Sequence, residues 1–334
     1  MAIPTIRKAT NKPLQAVLIA FITLVLLLPA ACRAEKENIM QQEVTLELGK
    51  AGPESFRQAG AVTDNRTAGS IAGFLDLKWR PSQLGIVTIK HGNHTLTIPH
   101  TFKAMGTVWP EPEGEGVSSI DLNSGISAAE FIRHREAYDL WVKLMKRIQN
   151  SGWQPFIELS QPRLSGKDAL RYFQDKENFG LGHAIDPYIL PDFQTWLTVV
   201  AQRGIFTYFH LNGIAMSISL DPTISNQEDL DRINSNLKFT EWGQYMMRIT
   251  FDTTRMSLRE QMYLKFLENL RDEKRKAAKQ DITNNLAGYW RRYRSSELLK
   301  RKQEEERLTK LGYKIDTTYQ DPDPLPYLQQ EPKF

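Results

Sequence analysis

Apolar and polar residues alternate through two stretches that are each interrupted by a two-residue loop. Ile86-Val87-Thr88-Ile89-Lys90-His91 and His94-Thr95-Leu96-Thr97-Ile98-Pro99-His100 flank Gly92-Asn93. A period of two on both sides of such a loop predicts a β-hairpin closed by a primed turn. In that register His91 faces His94, Ile89 faces Leu96 and Val87 faces Ile98, so one face is apolar and ends in a histidine pair. Residues 205–211 and 214–220 flank Asn212-Gly213 in the same way. Ile205, Phe209 and Leu211 there share a face with Ile214, Met216, Ile218 and Leu220, while Phe206, Tyr208 and His210 alternate on the reverse against Ala215, Ser217 and Ser219. A third strand follows each hairpin, at 117–122 and at 239–251, the latter with Tyr245, Met247, Ile249 and Phe251 on one side.

Helical spacing appears next in each half. Ala137, Tyr138, Trp141, Leu144, Met145 and Ile148 recur at three and four residues, behind the capping-box signature Ser127-Ala128-Ala129-Glu130 and ahead of Gly152. This pattern predicts a helix over 128–150. Ser257-Leu258-Arg259-Glu260 likewise opens a helix carrying Met262, Leu264, Phe266, Leu267 and Leu270. Between the halves, short helices are expected at Leu170, Tyr172 and Phe173 and over 191–202, with a short strand at 154–159, and another short strand at 74–79 precedes the first hairpin. The order hairpin, third strand, helix therefore occurs twice. It predicts an α+β fold of two layers, antiparallel sheet or sheets covered by helices, built from a duplicated unit and ending in a helical C-terminus. Whether the two units share one sheet stays open.

The N-terminus follows another logic. Arg7, Lys8 and Lys12 precede a nearly unbroken apolar run over 14–28, then come Pro29-Ala30-Ala31-Cys32 and a polar turn of composition. A charged start, a short apolar core and small residues describe a secretory signal over residues 1–31. Cys32, the only cysteine of the 334 residues, sits where a lipoprotein signal places its acylated residue, although Pro29 stands where that pattern has leucine. Lipidation at Cys32, cleavage that leaves a soluble chain, and an uncleaved anchor are the three readings. Residues 32–70 read as a tether or loosely packed lead-in with one strand-like run at 44–48, 71–160 and 161–275 as the two α+β units, 276–312 as a basic helical extension and 313–334 as a Pro-rich tail.

Charge sharpens this division. The formal charge of +4 falls to +1 without residues 1–31, which carry three bases and no acids. Residues 271–310 hold 13 bases and seven acids, so a basic surface is confined to the C-terminal helices and makes Arg291, Arg292 and Arg294 candidates for an acidic partner. A nearly neutral protein is not drawn to nucleic acid as a whole.

No Gly-rich phosphate loop, paired cysteines or Gly-x-Ser-x-Gly elbow occurs, so the sequence calls for no cofactor, metal or catalytic residue. His91, His94 and His100 share a strand face but lie too far apart along it for a metal, and His183 stands in a loop near Asp168, Asp175 and Asp186 without a defined geometry. The reverse face of the second hairpin offers a different chemistry. Phe206, Tyr208 and His210 are core if a helix covers them and a protein-recognition strip if not.

Three phrases carry a resemblance: Pro162-Arg163-Leu164-Ser165-Gly166-Lys167-Asp168-Ala169-Leu170, Asp186-Pro187-Tyr188, and the Phe-containing hairpin followed by its third strand. Over about 80–320 the chain resembles exported proteobacterial (lipo)proteins, some associated with type VI secretion toxin and immunity loci. The resemblance implies a periplasmic or outer-membrane-associated protein that binds a protein partner, such as a membrane-active toxin it neutralises, and it brings no catalytic residues. The expectation is therefore a non-enzymatic, exported binding protein, held at the membrane if Cys32 is acylated. A periplasmic hydrolase and an envelope-structural lipoprotein are the alternatives.

Overall fold

In chain order, β1 (Glu43–Glu47), α1 (Gly52–Gln58), β2 (Val62–Asp64) and β3 (Gly73–Lys78) lead into the first hairpin, β4 (Gly85–His91) and β5 (His94–Trp109). Then come β6 (Gly116–Gly125), β7 (Ile132–Arg133), α2 (His134–Asn150), β8 (Gln154–Pro155), α3 (Gly166–Gln174) and α4 (Phe193–Arg203). The second hairpin, β9 (Ile205–Leu211) and β10 (Ile214–Pro222), is followed by α5 (Gln227–Asn234), β11 (Trp242–Gly243) and β12 (Tyr245–Thr253). The helices α6 (Thr254–Leu267), α7 (Asp272–Asn284), α8 (Leu286–Lys310) and α9 (Leu325–Leu328) end the chain. The structure is a computed structural model that describes residues 42–64, 73–109, 116–175, 184–268 and 270–328, all within the compact unit Met40–Phe334.

Both hairpins have the register that alternation requires: His91 pairs with His94 and Val87 with Ile98, and Leu211 pairs with Ile214 and Phe209 with Met216. Asn212 and Gly213 both have positive φ, 44° and 84°, as a type I′ turn demands. The two units share one mixed sheet of order β1-β4-β5-β6-β12-β10-β9-β8, with β3 along the second half of β5 and β2 on β3. Their junction is the antiparallel pair β6 and β12, where Leu122 meets Ile249 and Ile120 meets Phe251. Hairpin and third strand thus appear on each side of that pair in mirrored order.

The repeat stops at the helices. α2 buries Trp141, Leu144, Met145 and Ile148 in the main core with α4, over the face formed by Ile89, Ile98, Leu122, Ile249, Ile218 and Phe209. α6 instead joins α7, α8, α9 and Leu159 in a second cluster. That cluster lies on the opposite side of the second hairpin, because Leu258 and Trp290 line one cavity with Ala215 and His210.

The sheet also curls. β5 bends at His100, a non-glycine residue at φ 59°, where pairing passes from β4 to β3 and the ladder skips at Thr101/Lys103. The curl brings the first hairpin's tip onto the second hairpin's turn. His91 Nε2–H donates to the Asn212 carbonyl at 2.8 Å, and Asn212 Nδ2 donates to His94 Nε2 at 3.1 Å. The histidine pair is therefore a clasp between units rather than an end open to solvent.

Several expectations need correction. Residues 43–64 are a packed lead-in and not a tether: the strand-like run is β1, and α1 and β2 follow it; Leu46 and Phe56 are fully buried, and a buried side chain of that size contributes roughly 2–3 kcal/mol, enough to dock a polar segment. The Ser127 box does not start a helix: Ser127 Oγ accepts from the Ala129 amide in a local turn, and α2 begins at His134. α6 begins three residues before the second box, with the Thr253 side chain accepting from the Met256 amide. The tail is not free. Asp321 is bound by both oxygens to Arg301 Nη1 at 2.8–2.9 Å, Leu328 is buried, and the Arg301 guanidinium also donates to the carbonyls of Gln161 and Glu158.

Arg301 is 4% exposed, so removing it leaves a carboxylate and two carbonyls without their donor. Arg301→Ala is expected to cost about 3–5 kcal/mol, measured by urea unfolding, whereas Arg301→Met with Asp321→Leu should cost much less. Equal losses for the single and double variants would show that the pair is not the element holding the tail.

Candidate binding cleft behind the second hairpin

The reverse side of β9 is the face whose role the alternation left undecided, and it is half-buried throughout. Phe206 and Tyr208 meet edge to face at 4.7 Å. Phe156, which follows β8 and donates its amide to the Tyr208 carbonyl, stands edge-on to both Tyr208 and His210, at 6.3 and 6.4 Å between ring centres. The strip is thus neither sealed core nor open surface. A short non-helical segment, not a helix, crosses it.

Phe156 separates two cavities. The first, about 240 Å³, is lined by Glu158, Leu164, Asp186, Tyr188, Tyr208 and Tyr319 among others. The second, about 400 Å³, has walls that include His210, Ala215, Leu258, Gln261, Trp290 and Tyr327. The Pro-rich tail forms one side of this second cavity through Asp321, Pro322, Asp323, Pro324 and Tyr327. Tyr327 lies directly over the turn: a Cβ at Gly213 would come within 2.5 Å of its ring. Gly213 is therefore required twice, by its φ of 84° and by the tyrosine above it.

The walls carry acids, Glu158, Asp186 and Asp316 on the smaller cavity and Asp321 and Asp323 on the larger. Burial lowers the His210 imidazole and favours its neutral form. Burial raises Tyr188 and Tyr319 to about 12, and raises Tyr208 further with help from Glu158. Burial, then the nearby Glu297, raises the Glu158 carboxyl. Asp186 accepts from the Gly166 and Tyr188 amides at 2.8 and 3.0 Å, and Asp316 accepts from the Thr318 amide at 2.9 Å. Apolar walls around a few polar groups characterise a binding site.

Of the residues singled out by sequence, the structure brings together Tyr208 and His210, with Phe206 stacked behind them. The three arginines are not part of this cleft. Arg292 lies over the rings of Tyr289 and Phe266 at 4.1 and 5.8 Å, whereas Arg291 and Arg294 are exposed on α8. Cys32 and His183 lie outside the described residues. Among the described residues no group of three or more His, Cys, Asp or Glu is placed to hold a metal, and no helix is long and apolar enough to cross a membrane. Sequence reasoning missed Phe156, Trp290 and Tyr327; Leu325, Tyr327 and Leu328 between the tail prolines were the available signal.

It also missed a buried polar pair in the front layer. His134 Nε2–H donates to the Phe239 carbonyl at 2.7 Å, which leaves Nδ1 to accept from the Tyr245 hydroxyl at 2.6 Å. This pair borders a third cavity of about 190 Å³, with Leu197, Val200 and Ile224 in its walls. Both polar groups are satisfied, so it reads as a core pin. Comparison with family models, with curated proteins and with solved structures found no match.

Across the ladder from Ala215, Asp252 is pushed up to about 6 by burial and by the neighbouring charges of Asp121 and Glu260, against a hydrogen bond from Ser119. The folded protein thus keeps a proton that the unfolded chain has released, and stability falls as pH rises from about 4 to about 6. Asp252→Asn is expected to be more stable than wild type above pH ~7, by at most about 3 kcal/mol, with the advantage vanishing below pH ~4. Thermal unfolding across that range checks it; a constant difference would show that Asp252 does not titrate there.

Proposed function

We propose that this chain is an exported, non-enzymatic binding protein whose cleft behind the second hairpin receives apolar side chains of a protein partner. In its sharpest form it is an immunity protein that neutralises a membrane-active secreted toxin, working in the periplasm or at the outer membrane. The observation that carries the reading is the partition of Phe156, Tyr208 and His210 between two cavities, which puts aromatic surface on the walls of both. Buried aromatic anchors in desolvated pockets supply most of the energy of protein recognition. The sequence resemblance to exported toxin-associated proteins, and the N-terminal signal with Cys32, support the location and the toxin version.

A second reading, a periplasmic hydrolase, rests on Glu158. Its raised carboxyl faces the smaller cavity beside Tyr208, in the manner of a general acid. Hydrolysis that disappears in Glu158→Gln while partner binding persists would favour this reading.

Tyr208→Ala and Phe156→Ala are each expected to weaken a complex with a toxin encoded beside the gene at least thirtyfold, a hot-spot loss of about 2 kcal/mol. The same variants should remove protection from cells producing that toxin. Full sensitivity of cells expressing the wild-type protein would sink the immunity version.

A further inference from the structure

The basic charge of the C-terminal helices is unevenly paired. Within α8 beyond residue 296, ion pairs join Lys300 to Glu297, Arg301 to Asp321, Lys302 to Glu306 and Arg307 to Glu304. Residues 271–294 hold eight bases and three acids, a net charge of +5. There Lys274, Lys276, Lys279, Arg291 and Arg294 are exposed, and none makes an ion pair among the described residues. Lys279 lies over the Tyr263 ring at 5.5 Å, and Tyr263 bonds Thr283, which fixes α7 against α6. Residues 274–277 of α7 are all exposed, so a full helical turn projects from the surface.

We infer that α7 and the first half of α8 form a contact surface for a bilayer of anionic phospholipid. Three observations favour lipid over an acidic protein. The bases sit on the outer surface of helices rather than around a pocket, an arrangement suited to many interchangeable headgroups and poorly suited to one fixed carboxylate pattern. Leu299, 58% exposed, stands eight residues after Arg291 and three before Lys302, on one stripe of α8, so an apolar side chain accompanies the bases. Finally, acylation of Cys32, or retention of the apolar run over 14–28, would hold the chain at a membrane. Each Lys or Arg beside an anionic surface strengthens binding by about fivefold, and such binding weakens with salt. This surface is separate from the cleft and does not depend on what the cleft binds.

The test uses the full exported protein with vesicles of phosphatidylcholine, with and without phosphatidylglycerol. Wild type is expected to bind the anionic vesicles more tightly than the neutral ones and to lose the difference in high salt. Lys274, Lys276 and Lys279 should be shielded from an amine-reactive reagent only by the anionic vesicles. Lys274→Gln with Lys276→Gln and Arg291→Gln is expected to reduce the anionic-over-neutral ratio about a hundredfold. An unchanged melting temperature will show that the fold is intact, and the ratio cancels any contribution of the apolar segment. Equal binding of wild type and triple variant to anionic vesicles, or equal lysine reactivity in both lipids, would overturn the inference. Shielding of these lysines by a soluble acidic protein but not by vesicles would overturn it in favour of a protein partner.

Discussion

The pairing of β6 with β12 is the constraint on which the rest of the molecule depends. Each unit taken alone would be a short antiparallel sheet with an exposed edge at its third strand, a template for unwanted association. Joining the two third strands consumes both edges at once and aligns Ile120 and Leu122 with Phe251 and Ile249 over the same core. A shared core then leaves the order of helices free to differ. α2 and α4 cover the front of the sheet, and α6 passes to the other side of the second hairpin, which creates the space behind β9.

That space is filled incompletely, and by residues of high sequence separation. Phe156 and Glu158 come from the link between the units, Trp290 from α8 and Tyr327 from the tail. Arg301 draws these pieces together by binding the carbonyls of Gln161 and Glu158 on one side and Asp321 on the other. A single buried guanidinium with five donors satisfies groups from two segments and ties both to α8, a task lysine could not perform. The cleft's chemistry follows from this construction. Arg301 and Asp321 are consumed as fasteners, and aromatic rings, hydroxyls, carboxylates and an imidazole are left on the walls.

Legibility in the sequence tracked the range of the interactions involved. Alternation and an Asn-Gly or Gly-Asn turn are local, so both hairpins and the residues that pair across them were readable to the register. Capping boxes are also local, yet both misplaced their helix starts. Ser127 found a nearer amide, at Ala129, and Thr253 already capped α6. The junction of the two units and the clasp of His91 and His94 on Asn212 depend on partners more than a hundred residues away, and no period encodes them. For the cleft, Tyr208 and His210 were visible as an alternating face. Their counterpart Phe156 was not, because a lone aromatic beside a two-residue strand carries no pattern.

The tail has a consequence for the order of events in biosynthesis. A chain that leaves a ribosome or a translocation pore N-terminus first can close both hairpins and the β6 and β12 junction while its last segment is still inside. Arg301 then waits for Asp321, and the turn at Gly213 waits for Tyr327. The larger cavity acquires this wall only after residues 321–327 have emerged, so its shape is one that a shorter nascent chain lacks.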